Sequence, residues 1–191
     1  YLYFTLFILL MGIGGNWVIN KANSSYDIPV IKAVPEFSFV NQDGEIFDQK
    51  DLENKITVLD FFFTSCPGPC PIMSYNMKEL YHDFSKIEEV HFVSITVDPK
   101  IDTQLELKQY ANNQGVYDKR WQFLTSELQN IKNLKRNGFM LYADQLPQGH
   151  AIKFILIDQK GQIRKYFDGT DDASQTILRN DIENLVKSLK S

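Results

Sequence analysis

Hydrophobic positions follow two regimes along this chain. From Tyr1 to Asn20 no side chain is charged, and Tyr1-Leu-Tyr-Phe-Thr-Leu-Phe-Ile-Leu-Leu-Met11 is nearly unbroken apolar sequence. Twenty helical residues rise about 30 Å, the thickness of a bilayer core. The pattern predicts an N-terminal transmembrane helix over 1–20, with Tyr1, Tyr3 and Trp17 suited to the two interfaces. No small-x-small cleavage site precedes Lys21, so the segment reads as an uncleaved anchor rather than a signal peptide. Residues 21–35, with Asn23, Ser24, Ser25, Pro29 and Pro35, read as a linker without regular structure. A single domain is expected over 36–191.

Within that domain the pattern switches between strand and helix periods. Phe37-Ser-Phe-Val40, the turn Asn41-Gln-Asp-Gly44 and Glu45-Ile-Phe47 predict a hairpin. Ile56-Thr-Val-Leu-Asp-Phe-Phe-Phe63 predicts a buried strand, and Val90–Val97 the next one. Between them Met73, Met77, Leu80 and Phe84 form one helical stripe after Pro71. Thr103-Gln-Leu-Glu106 is a capping box opening a helix to about Asn112, and Ser126-Glu-Leu-Gln129 is a second box. Trp121–Leu124 is a short strand. Ala151–Asp158, the turn Gln159-Lys-Gly161 and Ile163–Phe167 form a second hairpin. Ile177, Leu178, Ile182, Leu185, Val186 and Leu189 mark a final amphipathic helix. Strand–helix–strand units followed by a hairpin and a terminal helix predict an α/β protein with a mixed central sheet flanked by helices, the element order of a thioredoxin-like fold.

Composition narrows the partner class. The 191 residues are 43% hydrophobic and 23% charged, enough apolar sequence for a sizeable core and too much for a disordered chain. A net charge of −4 without a basic block speaks against nucleic acid.

Chemistry concentrates at the two cysteines, in Thr64-Ser-Cys66-Pro-Gly-Pro-Cys70-Pro71. Pro67 pushes Cys66 to an extended conformation, and Pro67-Gly68 suits the centre of a type II turn. Proline is favoured as first helical residue, so Cys70 is expected at the N-cap, its thiolate stabilised by the helix dipole. A disulfide closing so short a loop would add only about 2 kcal/mol, which makes a purely structural bridge a poor explanation. Thiol–disulfide enzymes usually carry C-x-x-C, whereas three residues intervene here. Such enzymes also tend to place a proline directly before the second hairpin; here Pro147 lies upstream and Gly149-His150-Ala151-Ile152 leads in. Two thiolates and one imidazole form a soft donor set suited to Cu(I), or to Cu(II) with an added ligand, while zinc with an open position is also compatible. Met73 lies on the apolar stripe and reads as core, His82 as a surface residue, His91 as isolated, and Asp98 as a turn residue.

These features together resemble the Sco/SenC family of thioredoxin-fold copper proteins serving cytochrome c oxidase assembly. The likeness rests on Phe63-Thr-Ser-Cys-Pro-Gly-Pro-Cys-Pro71, Val93-Ser-Ile-Thr-Val-Asp-Pro99 with Asp102-Thr103, Trp121-Gln-Phe-Leu-Thr125, and His150 six residues before Leu156-Ile-Asp158, over roughly residues 33–190. It implies Cys66, Cys70 and His150 as copper ligands and places Asp98 near the site. Gly68-Pro69 and Gly149 stand where the family often has polar residues. The resemblance implies a metallochaperone passing copper to the copper-bearing oxidase subunit. The alternative is a membrane-anchored thiol–disulfide oxidoreductase, with Cys66 and Cys70 as its redox pair, reducing that subunit's cysteines. The anchored domain is expected on the periplasmic side of an inner membrane, or in the intermembrane space of a mitochondrion.

Overall fold

The computed structural model describes residues 28–148 and 151–189. The expected anchor over 1–20 lies outside the described residues; among those described, no helix is long and apolar enough to cross a membrane.

One mixed sheet organises the chain. In chain order its strands are β1 (Lys32–Ala33), β2 (Ser38–Asn41), β3 (Ile46–Asp48), β4 (Ile56–Phe62), β5 (Val90–Thr96), β6 (Trp121–Thr125), β7 (Lys153–Ile157) and β8 (Gln162–Asp168). Their spatial order is β1-β8-β7-β4-β5-β6-β2-β3. The helices are α1 (Cys70–Asp83), α2 (Gln104–Gln114), α3 (Leu128–Asn133) and α4 (Asp172–Leu189). β4, β5 and β6 run parallel through the crossovers that hold α1 and α2, while β7 returns antiparallel against β4.

The centre of the sheet follows from sequence. Every residue of β4 is buried, as expected for a strand covered on both faces by helices. α1 supplies Met73, Met77 and Leu80, each fully buried, to one side of this core. α4 supplies Leu178, Ile182, Leu185 and Val186. Ile177, expected on the same stripe, is 47% exposed, because one residue before Leu178 the helix has turned about 100° away.

Two local expectations need correction. From Ile28 onward the segment read as linker packs onto the fold: Ile28 and Val34 are buried, and β1 pairs with β8. Pro29 and Pro35 flank this strand rather than abolish it, since proline is tolerated beside short edge strands. The second capping box does not form. α3 starts one residue later than it requires, Glu127 occupies the N-cap without a side-chain bond, and the Ser126 hydroxyl instead accepts from Asn130 Nδ2 at 3.4 Å. The first box holds on its threonine side, with Thr103 Oγ1 accepting from the Glu106 amide at 3.4 Å.

Candidate functional site

Parallel strands β4 and β5 end together, and the loops leaving them carry the chemistry, the usual place for a site in a sheet of this kind. The last ladder bond joins the Val97 amide to the Phe62 carbonyl at 2.8 Å. Beyond it the chain turns through Phe63–Pro69 into α1. The Cys66 amide donates to the Phe63 carbonyl at 3.3 Å, leaving Cys66 half-buried between exposed Ser65 and exposed Pro67.

This turn differs from its expected geometry. A type II turn requires positive φ at Gly68, yet the described glycines with positive φ are Gly44, Gly115 and Gly161. Pro69 is already helical (φ −76°, ψ −19°) and serves as N-cap, so α1 begins at Cys70 rather than Pro71. The bias of a pre-proline residue against helix is outweighed here by the fourteen-residue helix it joins, and Pro71 falls where no amide donor is needed.

Neither cysteine is engaged in a disulfide. Cys70 is only 2% exposed and is packed in the core, while Cys66 reaches the surface. The two thiols interact directly by a hydrogen bond. Burial foremost, then this bond to Cys66, pushes the Cys70 thiol above its ordinary range, overturning the expectation of a lowered value. The helix terminus does not compensate, because a charge at Cys70 would lose more hydration than the dipole returns.

Behind Cys70 lies a buried pair that the sequence pattern concealed. Asp60, in the middle of β4, is 2% exposed; Lys135, in the π-helical turn Leu134–Gly138, is fully buried. Burial raises the Asp60 carboxyl to about 7, opposed by a hydrogen bond with Ser94 and attraction to Lys135. Burial lowers the Lys135 amine to about 8, opposed by attraction to Asp60 and Cys70. The Lys135 Nζ sits 4.7 Å from the centre of the Phe61 ring and has no hydrogen-bond partner among the described residues. Desolvation exceeds mutual attraction at both groups, so each leans toward its neutral form. The one signal for Asp60 was a carboxylate interrupting an otherwise apolar strand; Lys135 had none.

The other expected residues separate cleanly. Met73 is fully buried and packs against Gly169, where an added Cβ would meet its Cγ at 3.0 Å, so it is core. His82 is exposed. His91 bonds through Nε2 to the Glu88 carbonyl at 2.9 Å, and burial lowers it to about 4. Asp98 is a turn residue: its carbonyl accepts from the amides of Ile101 and Asp102 at 3.1 and 2.8 Å. His150 lies outside the described residues. β7 begins at Lys153 and runs antiparallel to β4, so it starts from the end of the sheet where β4 releases the cysteine loop.

Two facing thiols, one accessible, can undergo disulfide exchange or provide two soft donors to a metal. Among the described residues no group of three or more His, Cys, Asp or Glu is positioned to hold a metal ion. A cleft of about 350 Å³ flanks the loop, lined by Thr64, Pro71, Tyr75 and Tyr110 among others. A separate cavity of about 320 Å³ between β2 and the α3 region shares no lining residue with the cysteine loop.

Known proteins share this fold. A SCO1/SenC family lipoprotein from Bacillus anthracis superposes with a TM-score of 0.75 at 32% identity, covering 81% of this chain and 95% of its own. BsSco, described as having a disulfide switch and as a member of the Sco family of cytochrome c oxidase assembly proteins, superposes with a TM-score of 0.73 at 25% identity, covering 83% and 96%. The fold also matches copper-bound ScoI of Bradyrhizobium japonicum, with a TM-score of 0.65 at 23% identity, covering 78% and 98%. The profile of the family described as SCO1/SenC matches residues 28–187, from the first described residue to the last turns of α4. This chain, a thioredoxin-like mixed sheet with a paired thiol site, therefore belongs to the SCO1/SenC family.

Proposed function

We propose that this chain is a copper-carrying assembly factor that holds one copper ion between Cys66, Cys70 and His150 and hands it to the copper-bearing subunit of a cytochrome c oxidase. The observation carrying this reading is the pair of reduced thiols in mutual contact at the end of the parallel strands, one of them only half-buried. Two thiolates fit Cu(I) by softness, and imidazole from His150 would complete a three-donor set; Cu(II) would require a further ligand. Copper is the cargo here, so a site with one buried and one accessible sulfur suits retention followed by exchange at Cys66. Copper-bound ScoI and the oxidase-assembly description of BsSco support the reading.

The reading includes an anchor over 1–20 that keeps the packed unit, from Ile28 onward, on the periplasmic or intermembrane-space face. There disulfide formation and copper loading both compete for the cysteines. A second reading, reduction of the oxidase subunit's cysteines, is favoured by the hydrogen-bonded dithiol and by the disulfide switch described for BsSco.

Titrating the reduced full chain in detergent with copper separates the two. Metal delivery predicts one copper per chain, loss of tight binding in Cys66→Ala and Cys70→Ala, and at least tenfold weaker binding in His150→Ala. Unchanged stoichiometry in either cysteine variant would overturn the copper reading. Wild-type affinity in His150→Ala would remove histidine from the ligand set and favour thiol chemistry.

A further inference from the structure

We propose that Asp102 is the positioning residue of the cysteine loop, clamping Thr64 so that Cys66 is held against Cys70. The inference deepens the reading of Cys66 and Cys70 as the working thiols and rests on it.

Asp102 lies in the loop between β5 and α2 and is fully buried. Its Oδ2 accepts from the Thr64 amide at 3.1 Å and from the Thr96 hydroxyl, and its Oδ1 accepts from the Thr64 hydroxyl. Its own amide donates to the Asp98 carbonyl at 2.8 Å, and the next residue, Thr103, caps α2. One carboxylate thus gathers the exit of β4, the end of β5 and the start of α2. No salt bridge to Asp102 exists among the described residues, so neutral donors hold it there.

Its place relative to the cysteines gives this clamp a functional reading. β4 ends at Phe62; beyond it the Phe63 carbonyl accepts from the Cys66 amide, and the Thr64 amide between them is fixed on Asp102. Thr64 donates two of the three hydrogen bonds that the Asp102 carboxylate accepts, although it contributes nothing to the apolar core. Two residues later comes Cys66, on an otherwise exposed stretch running to Gly68. Releasing Thr64 lets Cys66 drift from Cys70 and lowers the effective concentration of one sulfur at the other, the quantity governing both chelation and disulfide closure.

Asp102→Asn keeps the shape but turns an amide NH₂ toward one of the donors. Thr64→Val removes the hydroxyl and leaves the Thr96 bond intact, and Thr64→Ser restores the hydroxyl. Each full-length variant is measured three ways: copper affinity, the visible and electron paramagnetic resonance spectrum of the Cu(II)-loaded protein, and the dithiol–disulfide equilibrium against reduced and oxidised dithiothreitol. In that equilibrium the two electrons and two protons of the dithiol pass to oxidised dithiothreitol. Asp102→Asn and Thr64→Val are expected to weaken copper binding about tenfold and change the spectrum. They should also disfavour the disulfide about tenfold, a shift of about 30 mV for a two-electron couple. Thr64→Ser should match wild type in all three. If Asp102→Asn fails to fold, Thr64→Val carries the test.

Folded Thr64→Val with wild-type affinity, spectrum and disulfide equilibrium would overturn the proposal, whatever its melting temperature. Should wild type bind no copper, the functional reading fails by itself, while the dithiothreitol equilibrium still decides the role of Asp102.

Discussion

Asp60 shows how a single residue can be tolerated in the core without being stabilised by it. Its carboxyl, raised to about 7 by burial, compares with about 4 in an unfolded chain. Below pH 4 both states hold the proton; between about 4 and 7 only the folded state does. Stability from this group is therefore full at acid pH, falls as pH rises through that window, and stays low above it, by up to about 4 kcal/mol. Asp60→Asn lacks this slope, so its stability relative to wild type should rise from pH 4.5 to 7.5 in urea unfolding. His91, held near 4, acts oppositely over part of the window but is common to both proteins and cancels. Lys135, lowered to about 8, titrates above it. A constant difference across the two pH values would mean that Asp60 ionises like an exposed carboxylate.

At the scale of elements, helix ends matter more than helix interiors. α2 contributes only Leu107 and Ala111 to the core, so its ends are set by Thr103 at the start and Gly115 at the finish. Gly115 adopts φ +78°, and its amide donates to the Ala111 and Asn112 carbonyls, a left-handed helix stop. A Cβ there would meet nothing within 4 Å, so Gly115→Ala isolates the backbone penalty. The variant is expected to lose about 1 kcal/mol, read as a lower urea midpoint with unchanged slope. A midpoint equal to wild type would show that the helix end frays freely. The first capping threonine and the stripes of α1 and α4 were legible because they depend on neighbours three or four residues away. The second capping box misled because the same local pattern lost to the packing that started α3 one residue later.

For the whole molecule, the proposed anchor makes a claim about sidedness. With residues from about 28 onward outside the cytoplasm, a membrane-impermeant thiol reagent should label Cys66 in intact cells, or in mitoplasts of a eukaryotic source, after reduction and removal of metal. Cys66 is the sulfur to follow, since Cys70 is 2% exposed. Labelling only after lysis would put the domain inside and leave copper delivery without a route.

Taken over its length, the sequence determined the alternation of strands and helices, the buried β4 strand, the cysteine pair and the family. Each of these lives in short-range periodicity or in a contiguous motif, where side-chain spacing alone decides which face is apolar. Tertiary structure decided the rest. It placed Asp60 and Lys135, seventy-five positions apart in sequence, behind Cys70, and it set the Asp102 carboxylate on Thr64 across thirty-eight positions. It also reversed the expected shift of the Cys70 thiol, because the helix start is local whereas desolvation depends on everything packed around the sulfur. Charges and hydrogen bonds act on whatever the fold brings near, and that proximity is written in no single stretch of the chain.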